Sequence, residues 1–264
     1  MVTVALAQLA QESPGPRPTS AAHAVARIAD AAEAGADLVV LPELWRTGPF
    51  ELQTTLGYAE PVMAPDPHAT VATMSALAVE HGVWLHAGSV LEYDHDHIYN
   101  TSLLFNPDGD LVATYRKHYL FGFDSGEAAL LTAGDDVVVV PTPLGPTGLA
   151  TCYDLRFGEH FRALLDAGAE SVLISAGWPS ARLAHWDLLL RARAIENQTL
   201  MIGCNAAGES GDVPLGGGSL VVNAWGEELG LAGGGDELLL VDVDPAQTAA
   251  TRAAFPVLRD RRRA

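Results

Sequence analysis

The chain is poor in the residues and patterns that mark several large classes of protein. Only two cysteines, Cys152 and Cys204, occur in 264 residues. That is no disulfide framework, and a chain this long builds its core without one, so a reducing compartment is expected. Basic residues are scarce: 15 Lys and Arg stand against 33 Asp and Glu, for a formal charge of -18. Such a field repels phosphate backbones and anionic lipid headgroups, so neither nucleic acid nor a membrane is expected as a partner. The terminal cluster Arg259, Arg261, Arg262 and Arg263 reads as a solvated end. The shortage of lysine beside abundant alanine and glycine reads as coding bias, without functional weight. No run reaches the ~18 apolar residues needed to span a bilayer, and the segment Met1 to Gln8 lacks a basic leader. A cytoplasmic location is expected. Absent too are a Gly-x-Ser-x-Gly elbow, a phosphate-cradling Gly-x-x-x-x-Gly-Lys and a Gly-x-Gly-x-x-Gly fingerprint, so the triplets Gly216–Gly218 and Gly233–Gly235 read as loops beside strands.

What is present is a 48% apolar chain in which proline and glycine punctuate short apolar runs. With neither repeat nor long linker, it reads as one domain over residues 1–264. A strand at Val2–Gln8 leads, through a loop holding Pro14, Pro16 and Pro18, to a helix capped near Ser20 and stopped at Gly35. A buried strand Leu38–Leu41, a helix Pro67–His81 and a strand Val83–Ser89 continue the alternation. Asn106-Pro-Asp-Gly-Asp110 then predicts a hairpin between Asn100–Phe105 and Leu111–Arg116. Strand and helix alternate again: Thr147–Thr151, a helix from Glu159 to Ala167, Ser171–Ser175, a helix Leu183–Asn197 and Leu200–Cys204. A meander through Ser219–Asn223 and Glu237–Val243 closes the chain. About four helices among mixed strands predict an α/β fold, a four-layer α-β-β-α sandwich of two sheets. Leu183, Trp186, Leu190 and Ala194 share one helical face, to be buried by the sheet or by a second subunit.

Three polar side chains directly follow buried-looking strands, where α/β sheets bind ligands: Glu43, Lys117 and Cys152. Cys152 is placed for a nucleophile on a sharp strand-to-helix turn, where a helix N-terminus favours the thiolate and the Tyr153 N–H can meet a developing oxyanion. Read alone, it fits better the small buried hydrophobe that most free cysteines are, the role assigned to Cys204. Glu43, in an apolar segment, must be paired or hold its proton, and suits a general base. Lys117, among Tyr115, Tyr119 and Phe121, can stabilise an oxyanion or pair with that carboxylate. Asp154, Arg156 and Asn197 are expected to support the cysteine turn by hydrogen bonds rather than to react. The loop Asp94-His-Asp-His97 is the one rival metal site, but no second ligand cluster accompanies it and it reads as surface.

Leu41-Pro-Glu43, Tyr115-Arg-Lys117 and Cys152-Tyr-Asp-Leu-Arg-Phe157 resemble the three motifs of the nitrilase superfamily, the carbon-nitrogen hydrolases with a Glu-Lys-Cys triad. The resemblance runs the whole chain, through Gly126-Glu127, Ala176-Gly-Trp-Pro179, Ala184-His-Trp186 and Arg191-Ala-Arg-Ala-Ile-Glu-Asn197. It implies the α-β-β-α sandwich, a homodimer or higher homo-oligomer, no metal or organic cofactor, and a small-molecule amide substrate. It also implies that Glu43 is the base, Lys117 the electrostatic stabiliser, Cys152 the acyl-forming nucleophile and Glu127 a second glutamate positioning the substrate. Two positions depart from the family pattern: Tyr119 stands where histidine is common, and Gly158 where close relatives have proline.

Within the superfamily the chain is most similar to the omega-amidase-like branch, which hydrolyses the terminal amide of dicarboxylic monoamides such as 2-oxoglutaramate. Trp178 then walls the pocket, or else belongs to the core or a subunit interface, and Phe50 and Phe121 are further pocket candidates. Which cation would hold a substrate carboxylate is left open. The alternatives are an N-carbamoyl amine or amino acid hydrolase, an aliphatic amidase, an acyltransferase in which an amine intercepts the thioester, or a non-catalytic binding module on the same fold.

Overall fold

The computed structural model describes residues 1–12, 18–63, 66 and 69–262. In chain order these form β1 (Val2–Gln8), β2 (Ala10–Gln11), α1 (Pro18–Glu33), β3 (Leu38–Val40), α2 (Leu52–Thr55), α3 (Thr70–His81), β4 (Trp84–Asp94), β5 (His97–Phe105) and β6 (Leu111–Arg116). There follow α4 (Gly126–Leu130), β7 (Val139–Thr142), β8 (Gly145–Thr151), α5 (Gly158–Asp166), β9 (Ser171–Ala176), α6 (Leu183–Asn197) and β10 (Leu200–Asn205). The last elements are β11 (Ala207–Ser210), β12 (Val213–Pro214), β13 (Leu220–Val222), β14 (Glu228–Leu231), β15 (Glu237–Val243) and α7 (Ala246–Ala254). The first sheet runs β15-β1-β3-β4-β5-β6 and the second β14-β13-β10-β9-β8-β7. Each has a parallel centre, β1-β3-β4 in one and β8-β9-β10 in the other, flanked by antiparallel strands.

Strand alternation explains the four layers. In β1, Val4 and Leu6 join a core between the sheets with Leu149, Leu173, Ile202 and Cys204, while Ala5 and Ala7 face Ile28 of α1 and Met74 of α3. In the second sheet Val172, Ile174 and Met201 face the other way, onto Phe161 and Leu164 of α5 and Trp186, Leu190 and Ala194 of α6. A side-chain period of two thus gives both sheets two apolar faces, and each face needs a cover. The α6 face is covered by the second sheet. Its closeness is enforced at Gly203, where an added Cβ would lie 2.7 Å from the Trp186 ring.

The local signals mostly hold. Asn106 Oδ1 accepts from the Asp108 and Asp110 N–H groups, and Gly109 turns with φ 80°, closing the β5–β6 hairpin. Two expectations need correction. Helix α1 starts at Pro18, so Ser20 lies inside it rather than at its cap, and proline's fixed φ suits a first helical position. Pro14 and Pro16, like the expected start of the second helix at Pro67, lie outside the described residues; α3 is seen from Thr70. Helices α2, α4 and α7 exceed the expected count, and β2, β11 and β12 form a small third sheet. These elements are short, two to nine residues each, and β2 finds its partner β11 only far along the chain. Among the described residues, no helix is long and apolar enough to cross a membrane.

His86 is a buried anomaly on β4. By alternation it faces away from its neighbours Leu85 and Ala87, which pack under the helices, and neither ring nitrogen has a partner. Burial pushes its pKa down to about 4. The folded protein therefore holds His86 neutral where the unfolded chain, titrating near 6.5, already binds a proton. Stability rises with pH between these two values and is lost as pH falls through them, by up to about 3 kcal/mol from this one ring. Urea unfolding at pH 7.5 and pH 5 is expected to show a smaller acid loss in His86→Leu than in the wild type; equal losses would contradict the assignment.

Candidate active site

One edge of the sandwich collects the chain segments that leave β3, β6, β8 and β9. Glu43 follows β3 in a tight turn that places Leu44 at φ 41°, with its N–H held by Ser89 Oγ at 3.0 Å. The Glu43 N–H reaches across to the Ala176 carbonyl at 3.4 Å, where β9 of the second sheet ends. Lys117 follows β6, its N–H bonded to the Asn100 carbonyl at 2.8 Å. Cys152 follows β8 with φ 45°, a left-handed conformation that costs a non-glycine residue and holds the thiol on a strained corner.

These backbone paths converge on a buried polar cluster. Glu43, Lys117 and Glu127 are 1%, 1% and 3% exposed. Lys117 Nζ donates to Glu43 Oε1 at 2.7 Å and to Glu127 Oε2 at 2.5 Å. Gly177 N–H donates to Glu43 Oε2 and Phe121 N–H to Glu127 Oε2, each at 2.9 Å. Asn100 Nδ2 donates to both carboxylates, at 2.9 Å to Glu43 and 2.7 Å to Glu127. Buried charge is tolerated here because nearly every lone pair has a donor.

Burial by itself would lower the Lys117 pKa, but the Glu127 and Glu43 charges outweigh it and hold the ammonium well up. Burial also raises Glu127, with Glu43 adding to the rise and Lys117 opposing it. The Cys152 thiol is pushed well up by burial and then by the Glu43 charge, with Lys117 pulling the other way. This corrects the expectation that a helix N-terminus favours the thiolate. Cys152 opens a five-residue 3-10 turn, Cys152–Arg156, and α5 starts only at Gly158. So short a turn supplies little dipole against desolvation and a neighbouring carboxylate. The resting sulfur is a protonated thiol beside a carboxylate.

Asp154 ties this turn to the lysine segment. Its Oδ2 accepts from Tyr115 Oη at 2.7 Å and Thr151 N–H at 2.8 Å, and its Oδ1 accepts from Tyr119 N–H at 2.8 Å. The expected support role holds for Asp154, but two other expectations do not. Asn197 donates to the Arg193 carbonyl within α6, and it is Arg193 that reaches the turn, donating to the Leu155 carbonyl through Nε and Nη2. Arg156 lines the pocket instead, its guanidinium 4.7 Å from the Trp178 ring.

The pocket brings together all eight residues singled out in the sequence: Glu43, Lys117, Cys152 and Glu127 at its base, and Phe50, Phe121, Tyr153 and Trp178 around it. Phe121 stands edge-on to Phe50 and to Tyr153. Trp178 serves both roles weighed for it: it lines the pocket and, 2% exposed, packs its other side on Trp186. Tyr119 stacks on Phe157 at 3.8 Å, and Gly158 lies against Arg193, so both departures from the family pattern sit behind the site wall.

Two signals were missed. Asn100 reads in sequence only as the start of a strand; nothing local shows that its amide will meet glutamates 57 and 27 positions away. Lys117 is the only lysine in the chain, every other cationic side chain of this kind being arginine. That one lysine is at the centre of the cluster, where a compact ammonium fits between two carboxylates and a planar guanidinium does not replace it. In the rival metal loop, Asp94 pairs with Arg116 and His97 bonds Thr132. Among the described residues, no group of three or more His, Cys, Asp or Glu is placed to hold a metal.

A four-layer sandwich with a buried Glu, Lys and Cys at one strand-end edge defines a class, and comparison with known proteins agrees. The model of the carbon-nitrogen hydrolase family matches residues 3–253, and the chain belongs to that family, within the nitrilase superfamily. A 2-oxoglutaramate amidase from Paenarthrobacter nicotinovorans is 40% identical over 86% of this chain and 79% of its own length. An omega-amidase from Homo sapiens is 34% identical over 89% and 86%. Saccharomyces cerevisiae Nit3, a nitrilase-superfamily member, superposes with a TM-score of 0.90 at 31% identity, covering 99% of this chain and 97% of its own. A variant of the amidase from Nesterenkonia sp. AN1, carrying the product of acrylamide addition on its active-site cysteine, superposes at 0.82 with 27% identity, covering 98% and 99%.

The Asp154 staple generates a test. Asp154→Asn keeps the shape but replaces one acceptor oxygen by a donor, leaving a buried N–H or O–H unpaired at a cost of about 1–3 kcal/mol. Chemical denaturation is expected to show a loss of that size, and an unchanged midpoint would contradict the staple.

Proposed function

We propose that the chain is a single-domain cysteine amidase that hydrolyses the terminal amide of a small dicarboxylic monoamide through a thioester. The observation that carries this reading is the contact between a protonated Cys152 thiol, a Glu43 carboxylate and a Lys117 ammonium in one buried cluster. Glu43 accepts the thiol proton as sulfur attacks the amide carbonyl carbon. Lys117 Nζ and the Tyr153 N–H stabilise the resulting oxyanion; that N–H lies in the first turn of its 3-10 segment, where no intrahelical acceptor exists. As the intermediate collapses, the C–N bond breaks and the proton held by Glu43 passes to the leaving ammonia. Water then attacks the thioester while Glu43 takes its proton, and the C–S bond breaks to give the acid and the free thiol. Glu127 holds Lys117 in place and borders the substrate.

A dicarboxylic monoamide is supported by the names of the relatives and by two cations at the pocket. Arg156 and Arg182 both line it, Arg182 with its guanidinium 5.7 Å from the Phe121 ring, and among the described residues neither is in an ion pair. Their place at the pocket supports assigning them to the substrate's remote carboxylate. We further place the protein in the cytoplasm as a homodimer; the exposed Leu188 and Ile195 on α6 and the exposed Trp225–Phe255 stack suit a second copy.

The test is ammonia release from 2-oxoglutaramate, succinamate, an N-carbamoyl amino acid and propionamide. The two dicarboxylic monoamides are expected to be turned over best, and Cys152→Ala to reduce turnover to background. Preference for propionamide or the carbamoyl compound would overturn the substrate assignment. Arg182→Ala and Arg156→Ala are each expected to raise KM for succinamate at least tenfold, about 1.4 kcal/mol of binding. A matching change with neutral propionamide would contradict the carboxylate contact. Light scattering on the purified protein checks the dimer.

A further inference from the structure

Asn100 closes a ring that the lysine leaves open. Lys117 Nζ bridges Glu43 and Glu127 on one side, and Asn100 Nδ2 bridges the same two carboxylates on the other, with one hydrogen for each. The side chain is 0% exposed, and among the described residues its Oδ1 has no partner. That orphan acceptor destabilises the fold, and turning the amide over would not help, because it would face the carbonyl oxygen toward two carboxylates. A residue chosen for packing alone would carry no such cost. The amide is oriented by, and for, the glutamate pair.

We infer that Asn100 is a positioning residue: its amide lets two buried carboxylates remain together around one ammonium, so that Glu43 stays an available proton acceptor over the working pH range. The inference rests on the proposed role of Glu43 as base. Two glutamates and one lysine leave the cluster with an excess negative charge, and two carboxylates held by the same ammonium and amide favour taking up a proton. Donors to both carboxylates oppose that proton uptake without adding a charge. Besides the glutamates, the titratable or charged groups at the pocket are Lys117, Cys152, Tyr153, Arg156 and Arg182. Among the described residues neither arginine nor Tyr153 bonds either glutamate, so the neutral donors to the pair are Asn100, the backbone N–H groups of Gly177 and Phe121 and the Cys152 thiol, and of these Asn100 alone reaches both carboxylates.

The test uses two substitutions with opposite signs. Asn100→Ala removes both donors, and the acid limb of the kcat/KM profile for succinamate is expected to move up by about one pH unit or more. Asn100→Asp keeps the volume. Its protonated form donates to one glutamate at low pH, and its ionised form adds a third carboxylate at high pH, so activity is expected to fall on the alkaline side instead. Because Lys117 is the only lysine, protein labelled with ¹³C-lysine gives a single ε-methylene resonance whose pH titration reports proton uptake at the pair without any substrate. In Asn100→Ala this inflection is expected to move up with the acid limb. Both variants losing kcat/KM by one constant factor at every pH, with the lysine resonance titrating as in the wild type, would overturn the inference. So would Asn100→Asp alone showing an unaltered profile if Asn100→Ala does not fold. Cys152→Ala separates the two readings: activity surviving in it overturns the proposed mechanism and the inference with it, whereas a silent Cys152→Ala with unmoved Asn100 profiles overturns the inference only.

Discussion

The structure depends on one buried ammonium between two carboxylates. Lys117 has lost almost all of its water, and so have Glu43 and Glu127. An ion cluster of this kind adds little net stability, since desolvation cancels much of the attraction, but removing any one member leaves an uncompensated charge. It therefore acts as a specification rather than as glue. The cluster forms only when the segments after β3 and β6, the first turn of α4 and the end of β9 arrive together, because each contributes a charge or an N–H that no other segment replaces.

The two sheets make that arrival possible. Each places a parallel trio at its centre, and parallel strands release their chains at the same edge. One sheet delivers Glu43 and Lys117, the other Cys152 and Gly177. The inter-sheet core holds the halves at a fixed distance. Asp154 fastens the lysine segment to the cysteine turn with two hydrogen bonds, from Tyr115 Oη and Tyr119 N–H, and closes the turn itself with a third from Thr151 N–H. Chemistry follows from the electrostatics of this arrangement. A thiol raised by burial and by Glu43 is a poor nucleophile at rest, and in the proposed mechanism the same carboxylate takes its proton. In that mechanism Lys117 faces the developing negative charge already oriented and buried.

Around this base the walls differ in kind. Phe50, Phe121, Tyr153 and Trp178 shape an apolar slot, and Arg156 and Arg182 bring positive charge to an otherwise strongly acidic protein. In the proposed function, reaction type and substrate choice are thus carried by different residues on different elements. Tyr119 and Gly158, the two departures from the family pattern, lie outside both groups, Tyr119 stacked on Phe157 and Gly158 under Arg193.

The sequence by itself determined the layered α/β fold, the strands that end at Glu43, Lys117 and Cys152, and the hairpin at Asn106 to Asp110. All of these are encoded locally, in strand-length apolar runs, turn residues and short motifs. It did not determine the protonation of Cys152, because a local reading sees a turn leading into a helix and not the desolvated carboxylate 109 positions earlier in the chain. Nor did it separate Arg193, which braces the cysteine turn, from Arg156, which faces the pocket, since both are arginines in apolar surroundings. Asn100 was invisible for the same reason: its partners are adjacent only in space. Tertiary structure decided these points because burial and electrostatics depend on distance through the folded protein, and distance along the chain does not measure that.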